Sequence, residues 1–362
     1  MSKRRGRGVN VLKIFIVIAV ILIVAYLGME IAPSIYDKFK GSAAPEKLAM
    51  SEEELYVKAC TALLSGENTV NLGITTSEMA ENIARKVYDT PEIFWLSNNY
   101  TVTVVGVNSI LTFYNEYEDV DVKRQEVKNA AQEILDGLPE GGSDYEKLLY
   151  IHDTLCDRLE YFDDDSVSCH NVYGALVNGK CVCEGYAKSF AYLLNTLSYE
   201  NYLFSGDAKS SDMSGPHEWN GVVVGGDCYY FDLTWDDSEE FETGYDYFGV
   251  TSAEIQKNHF FDTDYPVVYS NATGLNYHYA NDLVIGEYSD EALRGMIEKS
   301  SDTIYLKCSS IVAYEKLTSS VSNPMKFMEV LSSAKPDNGY KGYMYVENDD
   351  LMTVTIVLTN DL

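Results

Sequence analysis

Basic side chains are scarce in this sequence. Of its 27 Lys and Arg and 56 Asp and Glu, five basic residues and one acidic residue precede position 34, which leaves 22 and 55 to everything beyond. So acidic a body argues against nucleic acid as a partner, because phosphate contacts are made by Lys and Arg. It suits a solvated surface and favours cations approaching from outside. Internal repeats and low-complexity tracts are also missing, which excludes solenoids and compositionally biased tails. The seven cysteines (60, 156, 169, 181, 183, 228 and 308) lack the spacing of a disulfide framework. Cys181-x-Cys183 with nearby Cys169-His170 lacks the two separated ligand pairs of a structural zinc site. Asp163-Asp-Asp165 lacks the alternating ligands and the glycine of a calcium loop and reads as a solvated turn. No metal and no cofactor is implied.

Charge is absent from one long stretch, Ile14 to Met29, which follows the basic cluster Lys3 to Arg7. With Val9 to Leu12 included and Lys13 reaching to the interface, it approaches the roughly 20 residues that span a bilayer. Residues 1–33 are therefore expected to be a cytoplasmic basic tip and a single transmembrane helix, with the bulk of the chain extracytoplasmic. The run is long for a cleaved signal peptide, and no small-x-small site follows it promptly. No lipid-attachment cysteine lies near it. Residues 34–50, with Gly41-Ser-Ala-Ala-Pro45, read as a linker.

What the sequence does have is organised around Gly179-Lys-Cys-Val-Cys-Glu-Gly-Tyr-Ala187. A helix is expected from Glu184 to Leu197, because Tyr186, Phe190, Leu193, Leu194 and Leu197 share one helical face. Cys183 then stands in the first turn, where unpaired N–H groups and the positive end of the dipole favour a thiolate. By itself this placement also fits a buried structural cysteine.

Downstream, His217-Glu-Trp-Asn-Gly-Val-Val-Val224 and Cys228-Tyr-Tyr-Phe-Asp-Leu-Thr-Trp235 are β-rich runs flanking Gly225-Gly226, a hairpin signal. Pairing Val224 with Asp227 puts His217, Trp219, Tyr230, Asp232 and Thr234 on one face. Val222, Val224, Tyr229, Phe231, Leu233 and Trp235 share the other, apolar face. A thiol at a helix start, an imidazole and a neighbouring carboxylate are a nucleophile, a base and the group that orients the base.

Tyr173-Gly-Ala-Leu…Gly179-Lys-Cys-Val-Cys-Glu-Gly-Tyr-Ala, His217-Glu-Trp-Asn and Asp232-Leu-Thr-Trp-Asp-Asp237 together resemble the signature of the transglutaminase-like superfamily, most closely its bacterial, surface-anchored members. The resemblance covers about residues 143–261. It implies an α+β, papain-like core in which Cys183, not Cys181, is the nucleophile, with His217 and Asp232 completing a triad. The family position of Tyr173 suggests an oxyanion donor beside the Cys183 N–H, but core packing is the favoured reading. Trp219 is expected to wall the site or bind substrate, Trp235 to join the core, and Asn220 to be a buried hydrogen bonder. Two departures are Glu218, where Ala is usual, and Cys181. Glu218 falls on the opposite face in this register and is expected to matter little. The implied activity is acyl transfer on amide bonds of proteins or peptides, cell-wall peptide included, through a thioester, ending in transamidation or hydrolysis. The alternatives are a catalytically silent binding module that keeps the fold, and a redox pair of Cys181 and Cys183, whose ring is strained.

The catalytic domain is placed at 140–265, between an N-terminal α+β module at 51–139 and a C-terminal one at 266–362. In the first module, helices are expected from Ser51, from Thr75/Thr76 to Val87 and from Val122 to Leu138, with strands at 69–73, 100–105 and 109–114. Ser143 or Asp144 caps a helix to Leu159 carrying His152, read as capped or solvated. Asp236-Asp237 caps a strand end, Thr251 caps a helix to Asn258, and His259 ends the domain. The C-terminal module has helices at 289–299 and 324–334 and strands at 303–307 and 352–358, and is expected to end in an antiparallel pair.

Overall fold

The computed structural model describes residues 50–362 apart from 165, 211–213, 238–242, 263–267, 337–338 and 361–362. The expected anchor and nearly all of the linker lie outside these residues. Among the described residues, no helix is long and apolar enough to cross a membrane. Residues Glu52–Leu362 form one compact unit that contains helices and three sheets of three or more strands.

Helix α1 (Glu52–Leu64), strand β1 (Thr69–Ile74) and helix α2 (Ser77–Tyr88) open it. Thr76 caps α2 by accepting from the Met79 N–H. Strands β2 (Leu96–Val105) and β3 (Asn108–Asn115) form a hairpin about Gly106, and the antiparallel order is β1-β3-β2. Leu55, Ala59, Leu63, Ile83 and Val87 close over Leu72, Leu111 and Phe113. Helix α3 (Val120–Leu135) serves two cores: Val127 faces this one, while Ala131 and Ile134 face the next.

Helix α4 (Asp144–Arg158) starts in a capping box, with Ser143 and Glu146 satisfying each other's N–H groups. The two-residue strands β4 (Glu160–Tyr161) and β5 (Lys180–Cys181) pair in parallel and lead into helix α5 (Cys183–Thr196). Next come β6 (Glu200–Lys209), β7 (Ser214–Val224), β8 (Asp227–Phe231), the short helix α6 (Leu233–Asp236), β9 (Phe248–Val250), α7 (Ser252–Ile255) and β10 (His259–Phe261). The five strands make an antiparallel sheet ordered β10-β6-β7-β8-β9. Val224 does pair with Asp227. Val222, Tyr229 and Phe231 face the core built on α4 and α5, while Trp219, Cys228 and Tyr230 face a second core on the opposite side. Both faces are therefore packed.

Beyond it lie α8 (Tyr277–Ala280), β11 (Val284–Ile285), α9 (Asp290–Lys299), β12 (Thr303–Cys308), α10 (Ile311–Val321), α11 (Pro324–Ala334), β13 (Gly342–Asn348) and β14 (Thr353–Thr359). The sheet order is β11-β12-β14-β13, and β13 and β14 are the expected antiparallel pair. Strand β6 and helix α10 were not anticipated. The turn between β13 and β14 reaches back to the central sheet: Leu351 is fully buried in the second core beside Trp219 and Tyr230.

Candidate active site

Helix α5 begins at Cys183 itself. Its N-cap, Val182, has extended backbone and offers no side-chain acceptor, so the N–H groups of the opening turn are not consumed by a cap. Gly179, at φ +70, turns the chain into β5. The Val182 N–H then donates to the Cys169 carbonyl at 3.0 Å. Gly185 lets this segment lie directly on α5, since a Cβ there would stand 2.3 Å from the Cys181 Cβ and 3.0 Å from the Cys169 oxygen. Asn220, on β7, donates to the Ala187 carbonyl at 2.9 Å and ties the sheet to the helix, the buried role expected of it.

The Cys183 side chain is half-buried, and its sulfur is among the groups that raise the His217 pKa. His217 Nε2 is 2.7 Å from Asp232 Oδ2, which leaves Nδ1 for the sulfur. Asp232 is 1% exposed. It also caps α6, where its Oδ1 accepts from the Thr234 and Trp235 N–H groups at 3.1 and 3.3 Å. Burial works to lower the His217 pKa, but the Asp232 carboxylate and the Cys183 sulfur outweigh it and hold the imidazole up at about 10. Burial likewise opposes the charge on Asp232, yet His217 and then His259 hold its carboxyl well below the usual range. The Cys181 thiol is buried, and that burial, with Cys169 and Cys183 beside it, pushes it far up. Of the two neighbouring cysteines, Cys183 thus has the base and Cys181 has only packing.

Other expectations change. Tyr173 does not point its hydroxyl at the thiol. That hydroxyl receives from Lys123 Nζ at 2.6 Å and donates to Glu126 at 2.8 Å, while the ring packs in the N-terminal core. Its observed role is structural. Trp219 is fully buried among Phe204, His259 and Phe261, behind the site and out of contact with solvent. The tryptophan beside His217 at partial exposure is Trp235, at 5.4 Å between ring centres. The strand period stops at Phe231, and the helical turn capped by Asp232 swings Trp235 to the His217 side. The Asp236 carboxylate accepts from the Tyr247 N–H at 2.9 Å and lies 3.2 Å from His152 Nε2. His152 is therefore neither capped nor solvated but fully buried between α4 and α6. Glu218, expected to be inconsequential, is buried with one oxygen lacking a hydrogen-bond partner. Burial raises its pKa to about 7 against the pull of Lys188, a buried ammonium on α5.

His259 was missed. Its Nε2 lies 3.0 Å from the same Asp232 oxygen that receives His217. Nothing local in the sequence marks it, since it stands at the start of a three-residue edge strand. His217, Asp232 and His259 are ligand types for a metal, but separations of 2.7 and 3.0 Å are those of imidazoles donating to a carboxylate.

No family model matches the chain, and no curated protein matches it. Among solved structures it is similar to a transglutaminase at 12% identity, covering 47% of this chain and 52% of that one with a TM-score of 0.28. A candidate cysteine protease from Cytophaga hutchinsonii is similar at 16% identity, covering 38% and 61% with a TM-score of 0.27. Menin, solved with attention to its binding site for Mixed Lineage Leukemia protein, is similar at 17% identity, covering 64% and 50% with a TM-score of 0.24. The chain thus spans about half to three fifths of the proteins it matches. The first two are of the kind the sequence motifs resemble, but at these TM-scores the likeness adds no weight to the site's own geometry.

Proposed function

We propose that the chain is a cysteine acyl-transfer enzyme acting on amide bonds of proteins or peptides. The observation that carries this reading is the thiol at the first residue of a helix, with an imidazole whose pKa it raises held 2.7 Å from a buried carboxylate. In the mechanism, Cys183 sulfur attacks the amide carbon and its proton is held by His217. The developing oxyanion is stabilised by backbone N–H groups at the start of α5. His217 then protonates the leaving amine, giving a thioester on Cys183. Water or a second amine, deprotonated by His217, attacks the thioester and frees the thiol. Asp232 fixes the imidazole's orientation and stabilises its charged form. Peptide substrates, including cell-wall peptide, and an extracytoplasmic site tethered by residues 1–33 complete the proposal. The acidic body argues against nucleic acid as a partner.

The test needs no substrate. Each cysteine of residues 34–362 is alkylated with iodoacetamide at about pH 6, where ordinary thiols are almost wholly protonated, and the rates are read by peptide mass spectrometry. Cys183 should react far faster than the other six cysteines and slow by roughly tenfold or more in His217→Ala. A Cys183 as slow as Cys181 in the folded protein refutes the enzyme reading and leaves the silent binding module.

A further inference from the structure

His259 has no part in the mechanism above, yet it shares the carboxylate at its centre. It is 1% exposed and enclosed by the rings of Trp219, Trp235 and Tyr247 at 4.6 to 5.4 Å. Its Nε2 meets Asp232 Oδ2 at 3.0 Å, and its Nδ1 meets Asn258 Oδ1 at 2.7 Å. A carboxylate only accepts, so Nε2 carries the proton in that contact; Asn258 Oδ1 also only accepts, so Nδ1 packs against it in the neutral ring and donates to it only when it is protonated as well. Asn258 is itself held: its amide nitrogen donates to the Tyr247 hydroxyl at 2.8 Å and to Asp350 Oδ2 at 3.1 Å. Asp350 lies in the turn between β13 and β14. A continuous line of polar contacts therefore runs from that turn through Asn258, His259 and Asp232 to His217, with Cys183 beside it.

We propose that His259 is a positioning residue for the reaction: a second imidazole that fixes Asp232, itself set in place by Asn258 and the β13–β14 turn. This rests on the acyl-transfer reading of Cys183, His217 and Asp232. The physical need is plain. The Asp232 carboxylate takes two N–H groups on Oδ1 and one imidazole from His217, and without His259 the rest of Oδ2 would face aromatic rings. A second donor there fixes the carboxylate plane, and through it the tilt of His217 toward the sulfur. It also divides the carboxylate's charge between two imidazoles, so His217 is held less tightly than by an unshared Asp. The titratable groups around the pair are Cys183 beside His217, Asp232 between the imidazoles, Tyr247 against His259 and Asp350 behind Asn258.

The experiment measures Cys183 alkylation against pH in the wild type, His217→Ala, His259→Phe and His259→Gln, each checked for a cooperative unfolding transition. His259→Phe keeps the ring and loses the donor, while Gln restores an N–H near the Nε2 position. The expected result is a roughly ten- to hundredfold slower Cys183 in His259→Phe, the loss of one hydrogen bond to a charged group. The basic limb of its pH profile should move to higher pH, because an unshared Asp232 holds the His217 proton more tightly. His259→Gln should recover most of the rate. A lower rate with an unmoved limb and no recovery in His259→Gln would mark a merely loosened site and overturn the proposal. If His259→Phe matches the wild type in rate and limb, the proposal is overturned while the acyl-transfer reading stands. If the wild type is already slow or indifferent to His217→Ala, the acyl-transfer reading itself has failed. Should His259→Phe not fold, Asp350→Ala decides. Asp350 is exposed, its removal leaves the fold, and a two- to fivefold slowing is expected. An unchanged rate there overturns the proposal.

Discussion

Gly185 sets two effects against each other. In the interior of a helix, replacing Gly with Ala ordinarily stabilises by about 1 kcal/mol, because Ala loses less backbone entropy on folding. Here the methyl added by Gly185→Ala would meet the Cys181 Cβ at 2.3 Å, its Sγ at 2.8 Å and the Cys169 carbonyl oxygen at 3.0 Å. Two of those three atoms are backbone or directly attached to it, so the segment 169–182 must move as a whole. Overpacking of this kind costs about 3 kcal/mol at the upper end of its usual range. The net expectation is a loss of about 2 kcal/mol, measured by urea denaturation as a lower midpoint at unchanged slope. The displacement should also carry Cys183 away from His217 and slow its alkylation. Adding Cys181→Gly removes two of the three contacts, so the double variant should lose less than the sum of the single losses, by about 1 kcal/mol. A Gly185→Ala variant as stable as the wild type, with Cys183 reacting at the wild-type rate, refutes the packing argument.

His217 is held at about 10 in the fold against 6.5 for a free imidazole. The stability that this charge contributes is complete below pH 6.5 and lost as pH rises through about 10. The gap in unfolding free energy between wild type and His217→Ala should therefore shrink between those limits, and a gap that widens would contradict the assignment. Lys188→Met strands the buried Glu218 and should lower the unfolding midpoint in urea, whereas Lys188→Met with Glu218→Met should recover most of the loss; equal losses in both would mean the two charges do not compensate each other. Cys181, deep in the core of α4 and α5, should stay unlabelled until the protein unfolds; labelling in step with Cys183 would show the segment open. Full-length protein should sediment with membranes and residues 34–362 should not; the reverse removes the anchor.

How much of this was legible in the sequence depended on whether a signal was local. The helix carrying Cys183, the Gly225-Gly226 hairpin with its register and the Ser143, Thr76 and Thr251 caps are decided by residues within a few positions of each other. Asn220 could be placed because strand alternation fixes its side. Trp235 went to the wrong side because alternation stops at Phe231, where Asp232 turns from strand residue to helix cap. Strand β6 escaped because its ten residues mix charge, glycine and aromatics, and its pairing with β7 supplies the order. Glu218 was misjudged because Lys188, the charge that offsets its burial, comes from an element that only tertiary packing brings near. His259 is the extreme case, a buried imidazole whose function lies 27 residues away at Asp232.

The turn that carries Leu351 and Asp350 has a consequence in time. Asn258 and Asp350 are 92 residues apart, and a ribosome adds roughly 5–20 residues per second. For about 5 to 18 seconds after Asn258 is made, at that rate of synthesis, a growing chain holds Cys183, His217 and Asp232 while the turn that closes the second core does not yet exist. Such distant contacts form late in folding, after the entropy of closing the loop has been overcome. A nascent chain thus holds its three reacting groups before the turn that supports them has been made.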